Sequence, residues 1–323
     1  MSGAPRLGIC MPLTATARTA PDYLAQLTAE AEAADAAGLD VVMLPEHHQG
    51  MPVSYAAPLT LAAHLLARTT RITVATGVLV LPGHHPVHLA EQVTMLDNLS
   101  GGRFALGVGA GYQESDLAPF GVPLADRGAV LTETLTALGA LLSKPRAGFD
   151  GKHVSFPPFR LRPRPLTTPR PPIWLGSWSR TGVRRAAALA DGWIADPIRT
   201  VAEIADMAAA YRAAGGTGPV VVMRETWIDT DVATARRTFE PVIAPVFGYY
   251  RRHGAYTGSF DDLASDRFVL GDADDCVAQA REVAERTGAD IVLLAVRHPG
   301  GPGHEETVAN IAALGRAWKA VRA

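Results

Sequence analysis

Apolar residues along this chain fall into two alternating rhythms. Short, nearly continuous runs lie at 7–11, 41–44, 72–81, 103–108, 172–176, 192–195, 220–228 and 291–296. Runs this short and rich in Val, Ile and Leu suit strands covered on both faces. Between them the apolar positions recur three or four residues apart. In 86–99 they are Val87, Leu89, Ala90, Val93, Leu96 and Leu99, while His88, Glu91, Gln92, Asp97 and Asn98 fall mostly elsewhere. That spacing predicts an amphipathic helix, closed by Gly101 and Gly102. Similar helices are predicted over 21–37 (ended by Gly38), 54–68, 127–142, 180–190, 201–214, 271–287 and 304–321.

Strands alternating with helices, with no break in composition, predict one α/β domain over 1–323, a (β/α)8 TIM barrel. A doubly wound open sheet is the alternative, but no G-x-G follows the first strand. Two stretches interrupt the alternation. Residues 144–171 are rich in Pro and Arg and read as an insertion after the fourth strand, with a small hairpin. Residues 231–267, after the seventh strand, read as a long connection whose 245–267 part is a possible active-site lid.

Composition narrows the function classes. The chain has 323 residues, 48% hydrophobic and 19% charged, with net charge -2, enough for one large core. Near-neutral charge argues against nucleic acid or a membrane surface as partner, and Arg162-Pro-Arg164-Pro and Arg251-Arg252 read as solvated surface. Cys10 and Cys276 lie far apart and suggest no disulfide framework or zinc ribbon. With no apolar run of membrane length and no leader-like start, a cytoplasmic location is expected.

In parallel barrels the loops leaving the carboxyl ends of strands build the ligand site. Four such loops are unusual here. Pro45-Glu46-His47-His48 and Leu81-Pro82-Gly83-His84-His85-Pro86 concentrate imidazoles. Gly107-Val108-Gly109-Ala110-Gly111-Tyr112 strips side chains away so that a flat group can approach the backbone. Gly176-Ser177, with Ser179, Arg180 and Thr181, places hydroxyls and amides at a helix start where an anion is favoured, although Ser177 or Ser179 as a plain N-cap explains the same residues. His84-His85-x-x-His88, with Glu225 and Asp196 near strand ends, permits a metal-dependent hydrolase. Adjacent histidines diverge at a turn, His88 is helical, and the first strand has no His-x-His, so no metal site is expected.

The fragments PEHH (45–48), LPGHHPV (81–87), GGRFALGVGAG (101–111), PPIWLGS (171–177), ADGW (190–193) and GDADDC (271–276) together resemble the bacterial luciferase-like flavin monooxygenases, in the right order over almost the whole chain. The resemblance implies a barrel binding FMN, or in a sister branch a deazaflavin coenzyme used for hydride transfer. The monooxygenase branch takes reduced FMN from a separate flavin reductase, forms a peroxyflavin with O2, and oxidises a small organic substrate; the Glu-His-His form favours this branch. It implies His47 as the catalytic histidine, its tautomer fixed by Glu46 or a backbone carbonyl. It also implies a non-prolyl cis peptide at Gly77-Val78 under the isoalloxazine, and a homodimer. Gly109, Ala110, Gly176, Ser177, Ser179, Arg180 and Thr181 complete the implied cofactor site. Met11, His64, Tyr112, Trp193 and Trp227 are candidate pocket walls, though apolar members of such a set are usually core. Where luciferases carry an arginine for the flavin phosphate after the fourth strand this chain has Ala110, and where they carry an acidic residue after the fifth it has Gly176, which keeps the deazaflavin alternative open. A non-catalytic flavin-binding relative is a third possibility.

Overall fold

A computed structural model describes residues 4–12, 19–49, 56–252 and 259–322. The strands are β1 (Arg6–Cys10), β2 (Val41–Leu44), β3 (Thr73–Thr76), β4 (Leu79–Val80), β5 (Phe104–Gly109), β6 (Ala147–Asp150), β7 (Ser155–Phe159), β8 (Ile173–Gly176), β9 (Gly192–Ile194), β10 (Val220–Ile228), β11 (Phe268–Gly271) and β12 (Ile291–Ala295). The helices are α1 (Ala20–Ala37), α2 (Pro58–Arg68), α3 (Pro86–Ser100), α4 (Glu114–Leu117), α5 (Arg127–Ser143), α6 (Arg180–Leu189), α7 (Val201–Ala213), α8 (Val232–Arg252), α9 (Phe260–Ala264), α10 (Ala273–Thr287) and α11 (His304–Arg322). The fold is a (β/α)8 barrel whose barrel strands are β1, β2, β3, β5, β8, β9, β10 and β12.

The chain divides into two compact units. The first comprises residues 1–43, 195–209 and 219–323. There β1 lies between β2 and β12, β12 pairs with β10, and β10 pairs with β11, all parallel. Thr19 caps α1 by accepting from the Asp22 amide, and Gly38 closes it at φ 88°. α1 and α11 are tied by buried Glu30, which pairs with Arg297, just after β12, and with His304 Nδ1 at 2.9 Å.

The second unit comprises residues 44–194 and 210–218. Its parallel run is β3-β5-β8-β9, with β4 also paired to β5. Every residue of β5 is buried, as its unbroken apolar sequence requires. The 144–171 insertion carries the expected hairpin, β6 antiparallel to β7. The Glu133 carboxylate of α5 holds the hairpin's turn by accepting from the amides of Lys152, His153 and Val154 at 3.1, 2.7 and 2.9 Å. Arg164, expected only as solvated surface, remains exposed but donates to the carbonyls of Leu141, Leu142 and Lys144 at the end of α5.

Two expectations need correction. The single strand predicted over 72–81 is two pieces, β3 and β4, interrupted at Gly77-Val78, whose peptide is cis. The long connection predicted over 231–267 is mostly regular: α8 runs through Pro241 and Pro245, α9 follows, and β11 extends the sheet from β10. Both prolines are exposed, and they lie off a stripe of Ala235, Phe239, Ile243 and Phe247 that packs on Leu263, Phe268 and Leu270. Burial of that four-residue repeat outweighs the helix-breaking tendency of proline. The 245–252 part of the suggested lid is thus the end of α8, and residues 253–258 lie outside the described residues, as do 50–55 at the start of the helix predicted over 54–68.

Candidate active site

The second unit gathers the candidate chemistry at the ends of β2, β5 and β8. His47 follows β2, and its Nδ1 lies 2.7 Å from Oδ2 of Asp116 on the short helix α4. The other carboxylate oxygen, Oδ1, accepts from the amides of His48 and Gln49, both at 2.9 Å. One buried carboxylate therefore fixes both the loop and the ring. A carboxylate only accepts, so Nδ1 carries the proton and Nε2 is left to take or give one. The ring keeps 15% of its side-chain surface exposed, against 3% for Asp116.

Glu46 does not fix the tautomer of His47, as had been expected for it or a backbone carbonyl. Its buried carboxylate turns the other way, accepting from the Val80 amide at 2.5 Å and lying 3.7 and 3.6 Å from Nε2 of His48 and His84. Neighbouring side chains on an extended segment point to opposite faces, which separates Glu46 from His47. The remaining imidazoles disperse: His85 packs on Phe156, and His88 is exposed beside Glu91. Among the described residues no group of three His, Cys, Asp or Glu side chains is disposed to hold a metal.

Val78 forms a shelf between two glycines. A Cβ on Gly109 would lie 2.6 Å from Val78 Cγ2, and one on Gly176 would lie 2.7 Å from Val78 Cγ1. Both glycines thus make room for a side chain of the protein itself, and the outer face of Val78 stays half-buried. Ala110, next after β5, is half-buried too.

Beyond the shelf, α6 begins. Ser179 is its N-cap, accepting from the Gly182 amide at 3.0 Å. Ser177 Oγ and the Ser177 carbonyl instead accept from the Trp193 indole at 3.2 and 3.1 Å. Capping thus accounts for Ser179, while Ser179, Arg180 and Thr181 remain exposed at the positive end of a ten-residue helix.

Tyr112 stands edge-on to His47, ring centroids 5.7 Å apart, and 5.9 Å from Trp178. Trp178 is 44% exposed and was not singled out from the sequence, where it read only as part of a helix start. Asp116 was missed for a related reason, since a four-residue helix leaves no periodic signal. Of the other expected walls, Trp193 is core and His64 sits on the exposed face of α2, opposite Leu61, Ala62, Leu65 and Leu66. Met11 and Trp227 belong to the first unit, where Met11 is buried and Trp227 stacks on Phe239 at 5.4 Å.

Neither cysteine is a ready nucleophile: burial pushes both the Cys10 and Cys276 thiols up to about 12. The first unit also buries an acid and a base together. Burial pushes Glu225 up from 4.5 to about 7 and pushes His298 down from 6.5 to about 4. The raised carboxyl contributes stability that is full below pH 4.5 and is lost as pH rises through 7; the depressed imidazole contributes stability that is full above pH 6.5 and is lost as pH falls through 4. The two slopes oppose each other in the native protein. Thermal melts across pH 4–8 should therefore show Glu225→Gln gaining relative stability with rising pH, by up to about 3 kcal/mol at 1.36 kcal/mol per pH unit, and His298→Gln losing it. Parallel curves for both variants would contradict this.

The profile of the family described as Luciferase-like monooxygenase matches residues 6–290, and the chain belongs to that family. An alkanal monooxygenase alpha chain from a Kryptophanaron alfredi symbiont is 28% identical over 150-odd positions, covering 48% of this chain and 44% of the relative. The chain spans about half the length of the curated relatives it matches. The monooxygenase RslO1 from Streptomyces bottropensis superposes with a TM-score of 0.87 at 23% identity, over 98% of this chain and 100% of that one. The FMN-bound oxygenating constituent of 3,6-diketocamphane monooxygenase from Pseudomonas putida gives 0.80 at 19% identity, over 98% of each chain. An F420-dependent secondary alcohol dehydrogenase in complex with an F420-acetone adduct gives 0.79 at 15%, over 98% and 99%. At these identities the structures establish the fold.

Proposed function

We propose that the protein is a flavin-dependent monooxygenase that uses reduced FMN and O2 to oxidise a small organic substrate. The observation that carries this reading is the His47–Asp116 pair, 2.7 Å apart, in the same unit as the Val78 shelf and the exposed start of α6. The residues present fit a flavin: Val78 offers a flat apolar face at strand ends, and Ser179, Arg180 and Thr181 offer donors for a phosphate. Reduced FMN, when bound, supplies two electrons to O2, so that one oxygen atom enters the substrate and the other leaves as water.

The chain's own residues do the rest. Asp116 holds the His47 ring in one tautomer, and Nε2 of His47 moves a proton to or from the reacting oxygen. Tyr112 covers one edge of that imidazole with aromatic surface, backed in turn by Trp178, and limits the access of water to it. In this reading the reduced flavin comes from a separate flavin reductase and the working form is a homodimer, as the family resemblance implies.

A second reading is deazaflavin-dependent hydride transfer without O2. Where luciferases place an arginine for the flavin phosphate this chain has Ala110, and where they place an acidic residue after the fifth strand it has Gly176, so the phosphate contacts differ here. Titration with FMN, reduced FMN and the deazaflavin coenzyme, followed by cofactor fluorescence, separates the two. Tightest binding of reduced FMN supports the monooxygenase; binding of the deazaflavin alone overturns it.

A further inference from the structure

The second unit joins its flavin shelf to its imidazole through a side chain that takes no part in the proton transfer described above. Val78 immediately precedes β4, whose two residues Leu79 and Val80 lie in register with Val108 and Gly109 of β5. On the side of β2, the Gly77 amide donates to the carbonyl of Leu44, the last residue of that strand, at 2.8 Å. Three residues further on, the acceptor is a side chain: the Val80 amide donates to Oε2 of Glu46 at 2.5 Å. A carboxylate thus takes over from a backbone carbonyl in holding β4 to the segment that follows β2. Only 1% of the Glu46 side chain is exposed, so water cannot replace it, and without it the buried Val80 amide would be an orphaned donor.

The same strand end is held a second time. The Val80 side chain packs with Leu117 and Val122, and Leu117 is the neighbour of Asp116, which orients His47. The contacts close a circuit. Glu46 binds Val80, Val80 packs on Leu117, Asp116 binds His47, and His47 is joined to Glu46 by a peptide bond. Phe120 lies against the same segments, its ring 4.8 Å from that of His48 and within 3.3 Å of where a Cβ on Gly83 would stand.

Within this circuit Glu46 acts by reach. Its Oε1 lies 3.7 Å from Nε2 of His48 and 3.6 Å from Nε2 of His84, beyond hydrogen-bonding distance. Among the described residues, the hydrogen bond that its carboxylate accepts is the one from Val80. Val78 is two residues from that bond and His47 is one, so the length of the Glu46 side chain sets how the two lie to each other. Misplacing a reacting group by about 1 Å can cost about 10²-fold in rate.

We propose that Glu46 is a positioning residue: by holding the end of β4 to the segment that carries His47, it fixes the placement of the Val78 shelf relative to the His47 ring. It supplies an accepting oxygen at a set distance and moves no proton itself. The kinetic consequence rests on the monooxygenase reading; the tie between the two segments does not.

Three variants test reach against charge. Glu46→Gln keeps the length and an accepting oxygen, Glu46→Asp keeps the acid on an arm one methylene shorter, and Glu46→Ala removes both. In crystal structures of the flavin-free proteins, Glu46→Gln should superpose on the wild type. Glu46→Asp and Glu46→Ala should move Val78 relative to His47 by about 1 Å, and their Val80 amide should lose its protection against deuterium exchange. In turnover, Glu46→Gln should keep most of the wild-type kcat, while the other two lose about 10–10²-fold with reduced-FMN affinity little changed. Adding Glu46→Ala to His47→Ala should cost nothing further, because Glu46 acts through His47; a general loss of stability would not give that result. Should Glu46→Ala fail to fold, the Gln and Asp variants still decide between reach and charge. A Glu46→Asp enzyme like the wild type beside an impaired Glu46→Gln, or a Glu46→Ala protein with Val78 unmoved and kcat intact, would overturn the proposal. Failure of the wild type to bind any flavin would overturn the monooxygenase reading and leave the crystal structures and the Val80 exchange to judge the tie.

Discussion

Replacing His47 with alanine should lower kcat on an identified substrate by about 10²–10⁴-fold, while the affinity for reduced FMN changes little. Its imidazole is the group at the end of β2 with a fixed tautomer and a partly exposed ring, so its loss removes proton transfer without touching the Val78 shelf. Asp116→Asn is the sharper variant. The amide retains an oxygen that can still accept from His48 and Gln49, but its NH2 then donates to Nδ1 and drives the ring proton to Nε2. The fall in kcat should approach that of His47→Ala, and the double variant should be no worse than His47→Ala alone, because the two residues act as one unit. Independent, multiplicative losses would contradict the pairing.

The second large effect is steric. Gly109→Ala places a methyl 2.6 Å from Val78 Cγ2, and Val78 is a β-branched side chain already confined on its other side by Gly176. Overpacking of this kind costs about 1–3 kcal/mol, which thermal melting reads directly. The displaced shelf should also weaken flavin binding by about tenfold or more, each tenfold being about 1.4 kcal/mol. Adding Val78→Ala to Gly109→Ala should restore most of the stability, since it removes the atom in conflict. Equal destabilisation in the single and double variants would place the cause elsewhere.

The fold was legible in the sequence where burial and punctuation agree. β2 matches its expected limits because it is an unbroken apolar run between turn residues, and β10 does so although Arg224, Glu225 and Thr226 interrupt its apolar run. α1 and α3 are closed by Gly38 and Gly101 in the left-handed conformation, as the glycines suggested. The sequence misled where local signals conflict with packing. The long stretch 231–267 read as a loop, while the stripe of Ala235, Phe239, Ile243 and Phe247 makes a helix of much of it, through Pro241 and Pro245.

The candidate site divides in the same way. His47 was identifiable from its motif, and Gly109 and Gly176 from their lack of side chains, but the reason for the glycines lies in Val78, far from both in sequence. Asp116 is 69 residues from the histidine it orients. No periodicity or local motif announces a pair of that span. Glu46, adjacent to His47, points to Val80 instead, so proximity along the chain suggested the wrong partner.

The central claim is that one unit presents a flavin shelf and a carboxylate-oriented imidazole to the same bound cofactor. A crystal structure of the protein soaked anaerobically with reduced FMN tests it most directly. The account predicts the isoalloxazine in van der Waals contact with Val78, the phosphate at the amides and side chains of Ser179, Arg180 and Thr181, and His47 on the reacting side of the ring. Flavin bound away from Val78, or with its phosphate remote from the start of α6, would contradict it.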